Sequence, residues 1–148
     1  MTIVLTGGCA CGAIRYECES KPAVMLNCHC RDCQRSSGSA YAALVVVQAD
    51  HFCLMQGEPK YFVSIADSGN TVRRGFCPEC GSPLFMSSAA LPGYIALKAG
   101  SLDDPALFRP ATDLWTHSAQ HWDVMNAALP RYAFEPGHPR QAVLTEHG

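Results

Sequence analysis

The chain has 148 residues, 48% hydrophobic and 16% charged, with a formal net charge of -2. That composition suits a folded domain able to bury a core and excludes a disordered chain. The 11 lysines and arginines are scattered, so the basic patch that a phosphate backbone requires is missing and no nucleic-acid partner is expected.

The opening residues, MTIVLTGG, carry no basic stretch, and their apolar run ends after three residues. No secretory leader is expected there. The longest apolar run, residues 40–47, is too short to span a bilayer. The chain is therefore expected in the cytoplasm, where thiols stay reduced. Its 9 cysteines then need an explanation other than disulfides.

In residues 13–19, Ile14, Tyr16 and Cys18 alternate with Arg15, Glu17 and Glu19, the period-two pattern of a half-buried strand. Further strands are predicted over residues 25–27, 40–48, 51–55, 60–65, 71–76, 84–88 and 94–99, each short and bounded by turn-forming residues. Helical signals are confined to the second half. Asp104 followed by Pro105 predicts about one turn over residues 104–108. Residues 118–125 are predicted as a short helix with Trp122 and Met125 on one face. The expected fold is mainly β with one or two short helices, in a single domain over residues 1–148. Its core should cover about residues 5–130, followed by an irregular tail containing Pro136, Gly137 and Pro139.

The cysteines fall into three groups with two left over. Cys9 and Cys11 lie between Gly8 and Gly12, and Cys77 and Cys80 precede Gly81. Zinc takes thiolates in tetrahedral geometry, so its ligands arrive in convergent pairs. Each glycine permits the tight turn that aims such a pair at one point. Joining the two pairs closes a loop of roughly 65 residues, a strong constraint on the unfolded chain. Cys9, Cys11, Cys77 and Cys80 are therefore expected to hold a structural zinc.

Cys28, Cys30 and Cys33 supply three sulfurs within six residues. Three protein ligands with an open fourth position characterise a catalytic zinc. His29, adjacent in sequence to two ligands, is expected to project away from the metal. Iron–sulfur spacings are absent, and Cys77-Pro-Glu-Cys80 lacks the βαβ setting of a redox pair. Cys18 and Cys53 lie in strand-like sequence and are expected to pack as small buried residues.

Three runs taken together, GGCACGAIRYE at residues 7–17, CHCRDC at 28–33 and FCPECGS at 76–82, resemble the glutathione-dependent formaldehyde-activating enzyme family, also called the centromere protein V/formaldehyde-activating domain. The resemblance runs from about residue 5 to about residue 130. It implies a β-tent-like fold of small stacked antiparallel sheets around zinc. It also implies two zinc ions per chain: a structural one at Cys9, Cys11, Cys77 and Cys80, and a catalytic one at Cys28, Cys30 and Cys33. With three ligands against four, the second is expected to be the more weakly held and labile. The implied activity is the reversible condensation of formaldehyde with glutathione to S-hydroxymethylglutathione, a carbon–sulfur lyase reaction in the reverse direction.

An open three-thiolate zinc would lower the pKa of an incoming thiol and hold it beside an electrophile. Three cysteinates leave that site at net charge -1, so a fourth thiolate needs positive charge nearby. Arg31 and Arg35 flank the motif and are the candidates for meeting the carboxylates of glutathione. Arg73 and Arg74 approach the second knuckle. Ser36, Ser37 and Ser39 either donate to a ligand or form the turn into the next strand. Trp115 and Trp122 are expected in the core, with His117 a candidate acid–base group. The rival expectation is a non-catalytic zinc-stabilised binding module, or a glutathione or zinc carrier. Exposed edges of small sheets make a homodimer an expectation too.

Overall fold

A computed structural model describes residues 3–140. Among these the chain is mainly β, with ten strands and one α-helix. It divides into two compact units built from non-contiguous segments. The first takes the chain up to Val24 together with Leu44–Phe108; the second takes Met25–Ala43 and the chain from Arg109 onward.

In the first unit, β1 (Val4–Gly8) and β2 (Arg15–Glu19) form an antiparallel hairpin, and β5 (Phe52–Gln56) pairs with the far side of β2. The period-two pattern works as the sequence dictates: Ile14, Tyr16 and Cys18 are all buried, while Glu17 and Glu19 are exposed. A second set of antiparallel strands runs β4 (Ala42–Gln48, joined here through its Leu44–Gln48 portion), β9 (Tyr94–Lys98), β8 (Pro83–Ser88), β7 (Thr71–Phe76) and β6 (Lys60–Ile65). Val45, Val46 and Val47 of β4 are buried in succession, as expected of a strand covered on both faces. The core is completed by Leu84, Leu97 and an aromatic cluster in which Phe85 meets Phe52, Tyr61 and Tyr16 at centroid distances of 5.1, 6.1 and 6.5 Å. Such contacts add to area burial.

In the second unit, β3 (Val24–Cys28) pairs in parallel with β10 (Thr112–Leu114), and α1 (Arg31–Ser37) follows β3 after two residues. Residues 130–134 run parallel to β10 and its continuation. Asp113 N–H donates to Pro130 O at 3.0 Å, Tyr132 N–H to Asp113 O at 2.9 Å and Trp115 N–H to Phe134 O at 2.8 Å. Phe134 is buried and meets Trp115 edge-on at 5.3 Å, so packing continues past residue 130.

Several predicted elements change. β1 and β10 were not anticipated, being five and three residues long with little alternation. α1 falls in the first half of the chain, where no helix was expected. Its N-cap is Cys30, a residue outside the usual capping set. Residues 118–125 do not form a helix. A 3₁₀ turn at Thr116–Ser118 is followed by irregular backbone, and Trp122, expected in the core, is 59% exposed. Cys53, expected to pack inside, is exposed on edge strand β5. The single turn at Pro105–Leu107 is present, capped by the Asp104 carboxylate on Ala106 N–H. The part of the expected irregular tail beyond residue 140 lies outside the described residues.

Candidate metal centres

The first cluster is built from two hairpin turns of the first unit. Cys9 and Cys11 lie in the turn joining β1 to β2, and Cys77 and Cys80 in the turn joining β7 to β8. Gly12 and Gly81 take φ of 81° and 77°, the left-handed backbone that closes each turn at no cost to glycine. Gly12 N–H donates to Cys9 O at 3.2 Å and Gly81 N–H to Cys77 O at 2.8 Å. A cross-link from Ala10 N–H to Ser82 Oγ at 3.1 Å ties one turn to the other.

All four sulfurs lie within 4.8 Å of one another. Cys9 to Cys11 measures 3.6 Å and Cys11 to Cys77 3.8 Å. Zinc–sulfur bonds of about 2.3 Å in a tetrahedron require sulfurs roughly 3.8 Å apart, and these two distances match that spacing. Electrostatics point the same way. Hydrogen bonds from the Ser82 hydroxyl and the Ser82 and Cys11 amides pull the Cys80 thiol down to about 5. For Cys9, burial pushes upward, but the Ile14 amide and the Cys11 and Cys77 thiols reverse it and leave it lowered. Cys11 is pushed up to about 12, because the downward pull of the Ala13 amide is outweighed by crowding against Cys9, Cys80 and Cys77. The cluster favours some thiolates but resists the complete set until a cation neutralises it.

The second cluster sits at one strand–helix junction of the second unit. Cys28 ends β3, Cys30 caps α1 and Cys33 lies in its first turn. Cys33 N–H donates to Cys30 Sγ at 3.3 Å. The three sulfurs again lie within 4.8 Å of one another. Cys28 and Cys33 are buried and Cys30 is half-buried. Proton sharing with Cys30 and Cys33, together with burial, raises the Cys28 thiol well above its ordinary value. Cys30 is pushed up to about 12, the lowering contact with Cys28 being outweighed by Cys33 and by burial. Three crowded, desolvated thiols suit a soft cation, and the donor set fits zinc.

His29 projects away from the sulfurs. Its ring is fully buried, with Nε2 2.8 Å from Asp113 Oδ1 and Nδ1 3.0 Å from Asp123 Oδ2. Gln34, also buried, donates through Nε2 to His29 O at 2.7 Å and to Ser118 O at 2.9 Å. Asp113, Asp123 and Gln34 were not singled out from sequence, because isolated acids and amides give no periodic or motif signal. The structure alone joins them to His29.

Of the other candidates, Arg31 and Arg35 are exposed on α1, one turn apart and on one face; Arg31 donates to Gln34 Oε1. Arg73 stacks on Tyr61 at 3.5 Å, and Arg74 donates to Ser64 at 3.4 Å. Ser36 and Ser37 donate to the backbone carbonyls of Cys33, Gln34 and Tyr41, so these two serve the turn. His117 lies beside Phe134 at 5.1 Å. No helix among the described residues is long and apolar enough to cross a membrane.

The profile described as glutathione-dependent formaldehyde-activating enzyme matches residues 4–118. A protein of Halomonas elongata, provisionally named for that activity, is 29% identical over 111 residues, covering 68% of this chain and 67% of its own. A crystal structure of a Rhodobacter sphaeroides protein superposes with a TM-score of 0.54 at 18% identity, covering 66% of this chain and 87% of that one; that likeness concerns the fold. With the match spanning both cysteine clusters, the chain belongs to the glutathione-dependent formaldehyde-activating enzyme family.

Proposed function

We propose that this protein is a zinc-dependent carbon–sulfur lyase that reversibly joins formaldehyde to glutathione, with Cys28, Cys30 and Cys33 as the reactive centre. The observation that carries the reading is a three-sulfur cluster that, among the described residues, has no fourth cysteine beside it. A scaffold needs four ligands to close a metal site; three leave a position for substrate. Zinc held there would supply a Lewis-acidic centre that keeps an incoming thiol as thiolate.

The chain's own residues do the rest. Buried Cys28 and Cys33 exclude water from the inner side, which leaves half-buried Cys30 facing the approach. Arg31 and Arg35 offer two guanidinium groups on one face of α1 to the carboxylates of glutathione, and their charge offsets that of the cysteinates. In the forward reaction the glutathione sulfur bonds to the carbonyl carbon of formaldehyde, and the thiol proton ends on the new hydroxyl. In reverse the carbon–sulfur bond breaks and the hydroxyl proton returns to sulfur. Cys9, Cys11, Cys77 and Cys80 are read as the structural site. The apolar residues Phe62, Val63 and Ile65, exposed on edge strand β6, support the capacity to pair with a second copy.

The test is direct. Exchange between labelled formaldehyde and its glutathione adduct, followed by NMR, should exceed the spontaneous rate and fall to it in Cys30→Ser. Native mass spectrometry should find two zinc ions in the parent and one in the variant. Exchange no faster than background in the two-zinc protein would replace the enzyme by a glutathione or zinc carrier, or a binding module.

A further inference from the structure

The His29 cluster is costly to bury. An imidazole and two carboxylates are each at most 6% exposed, and taking such groups out of water is costly even when they are paired. Apolar residues in their place are often neutral or stabilising. Fold stability alone therefore does not account for the cluster.

Its position does. His29 stands between Cys28 and Cys30, with its backbone groups and Nε2 hydrogen-bonded and Nδ1 close to Asp123 without hydrogen-bond geometry. Its N–H donates to Leu114 O at 2.9 Å, its carbonyl accepts from Gln34, and its two ring nitrogens face Asp113 and Asp123. Asp113 is itself fixed on β10 by Asn27 Nδ2 at 3.2 Å. Asp123 belongs to the irregular segment 119–130, where its neighbours Trp122 and Val124 are 59% and 96% exposed. At this point the stretch turns the Asp123 side chain inward against His29. Gln120 adds a bond to Gln34 Oε1 at 3.3 Å.

We propose that His29 is a positioning residue whose ring, bridging Asp113 and Asp123, fixes the sulfurs of Cys28 and Cys30 and couples metal loading there to docking of segment 119–130. The inference rests on reading Cys28, Cys30 and Cys33 as a metal site. The coupling is reciprocal: zinc at the triplet orders the segment, and releasing the segment weakens the triplet's hold on zinc. Groups that orient metal ligands without touching the metal change affinity by about 10- to 100-fold when removed, and a shift of that size is expected here.

The experiment uses the full chain loaded with zinc. A chromogenic chelator is titrated against the parent, Asp123→Asn, which keeps the shape of the side chain, and His29→Gln, whose amide replaces Nε2 but not Nδ1. Both variants should release the triplet zinc at about 10-fold lower chelator or less, while the four-cysteine site releases at the parent's level. Hydrogen exchange should quicken over residues 119–130 in both variants, and equally in Cys30→Ser. Parent-like affinity at the triplet in either variant would overturn the proposal, as would equal weakening of both sites, the sign of a merely structural role. A parent chain that binds a single zinc, at the four-cysteine site, would overturn the underlying reading of the triplet and the proposal with it.

Discussion

The two cysteine clusters use the same ligand at nearly the same spacing, yet they are constructed oppositely. The four-cysteine cluster draws two hairpin turns together across roughly 65 residues of chain, and two of its thiols, Cys11 and Cys80, are exposed. The triplet is local, set by one strand end and one helix turn, and is mostly buried. A cross-link between distant turns acts on the folding equilibrium, because it removes loop entropy from the unfolded chain. A cross-link within six residues removes little. A cluster that adds little to stability yet keeps three desolvated thiols is better explained by chemistry than by architecture.

Removing one ligand from each cluster should separate the two. Cys77→Ser should cost much of a domain's usual stability of about 5–15 kcal/mol, because the two hairpin turns would lose the metal proposed to join them. Thermal unfolding and zinc content measure it. A melting temperature unchanged from the parent would make the four-cysteine site dispensable and dissolve the contrast. Cys30→Ser should do the reverse: exchange of the formaldehyde adduct falls to background, one zinc is lost, and the melting temperature moves by about 4 °C or less. A collapse in stability comparable to that of Cys77→Ser would show that both clusters are structural.

Legibility from sequence follows the same division. Glycine-bounded cysteine pairs announce themselves, because the turn chemistry and the ligand are written in adjacent residues. Period-two strands were equally plain, Tyr16 and Cys18 above all. What sequence concealed was the support of the triplet. α1 is seven residues long and begins on a cysteine cap, so neither length nor capping signalled it. Asp113 and Asp123 lie 84 and 94 positions beyond His29 in the numbering, and only the fold brings them to one imidazole. Trp122 failed for a related reason. Its predicted helix rested on spacing alone, whereas the segment turns Asp123 inward against His29 and leaves the indole exposed.

A smaller effect sharpens the chemistry assigned to the triplet. Arg35→Ala removes an exposed charge from the last turn of α1, and an exposed ion pair is worth about 1 kcal/mol at most. KM for glutathione should therefore rise by roughly five-fold or less at constant kcat, more at low ionic strength than at high, with zinc content unchanged. A KM indifferent to both the substitution and salt would remove the helix face from the substrate contacts.

The smallest effect belongs to the four-cysteine side. Arg15 of β2 and Asp103 form a half-exposed ion pair that Thr6 joins through a 2.7 Å hydrogen bond to Asp103. Hydrogen bonds from Arg15 and Thr6 hold the Asp103 carboxyl down at about 2, against an ordinary value of about 3.9 in the unfolded chain. The folded state thus favours the ionised form. Its contribution is complete above about pH 4 and is lost as pH falls through about 2. Asp103→Asn should lower the melting temperature by about 4 °C at most near neutral pH, since solvent and salt screen the pair. The gap between parent and variant should begin to narrow below about pH 4. A gap that widened with acid would mean that Asp103 is held in its protonated form, and the hairpin carrying Cys9 and Cys11 would then owe nothing to this pair.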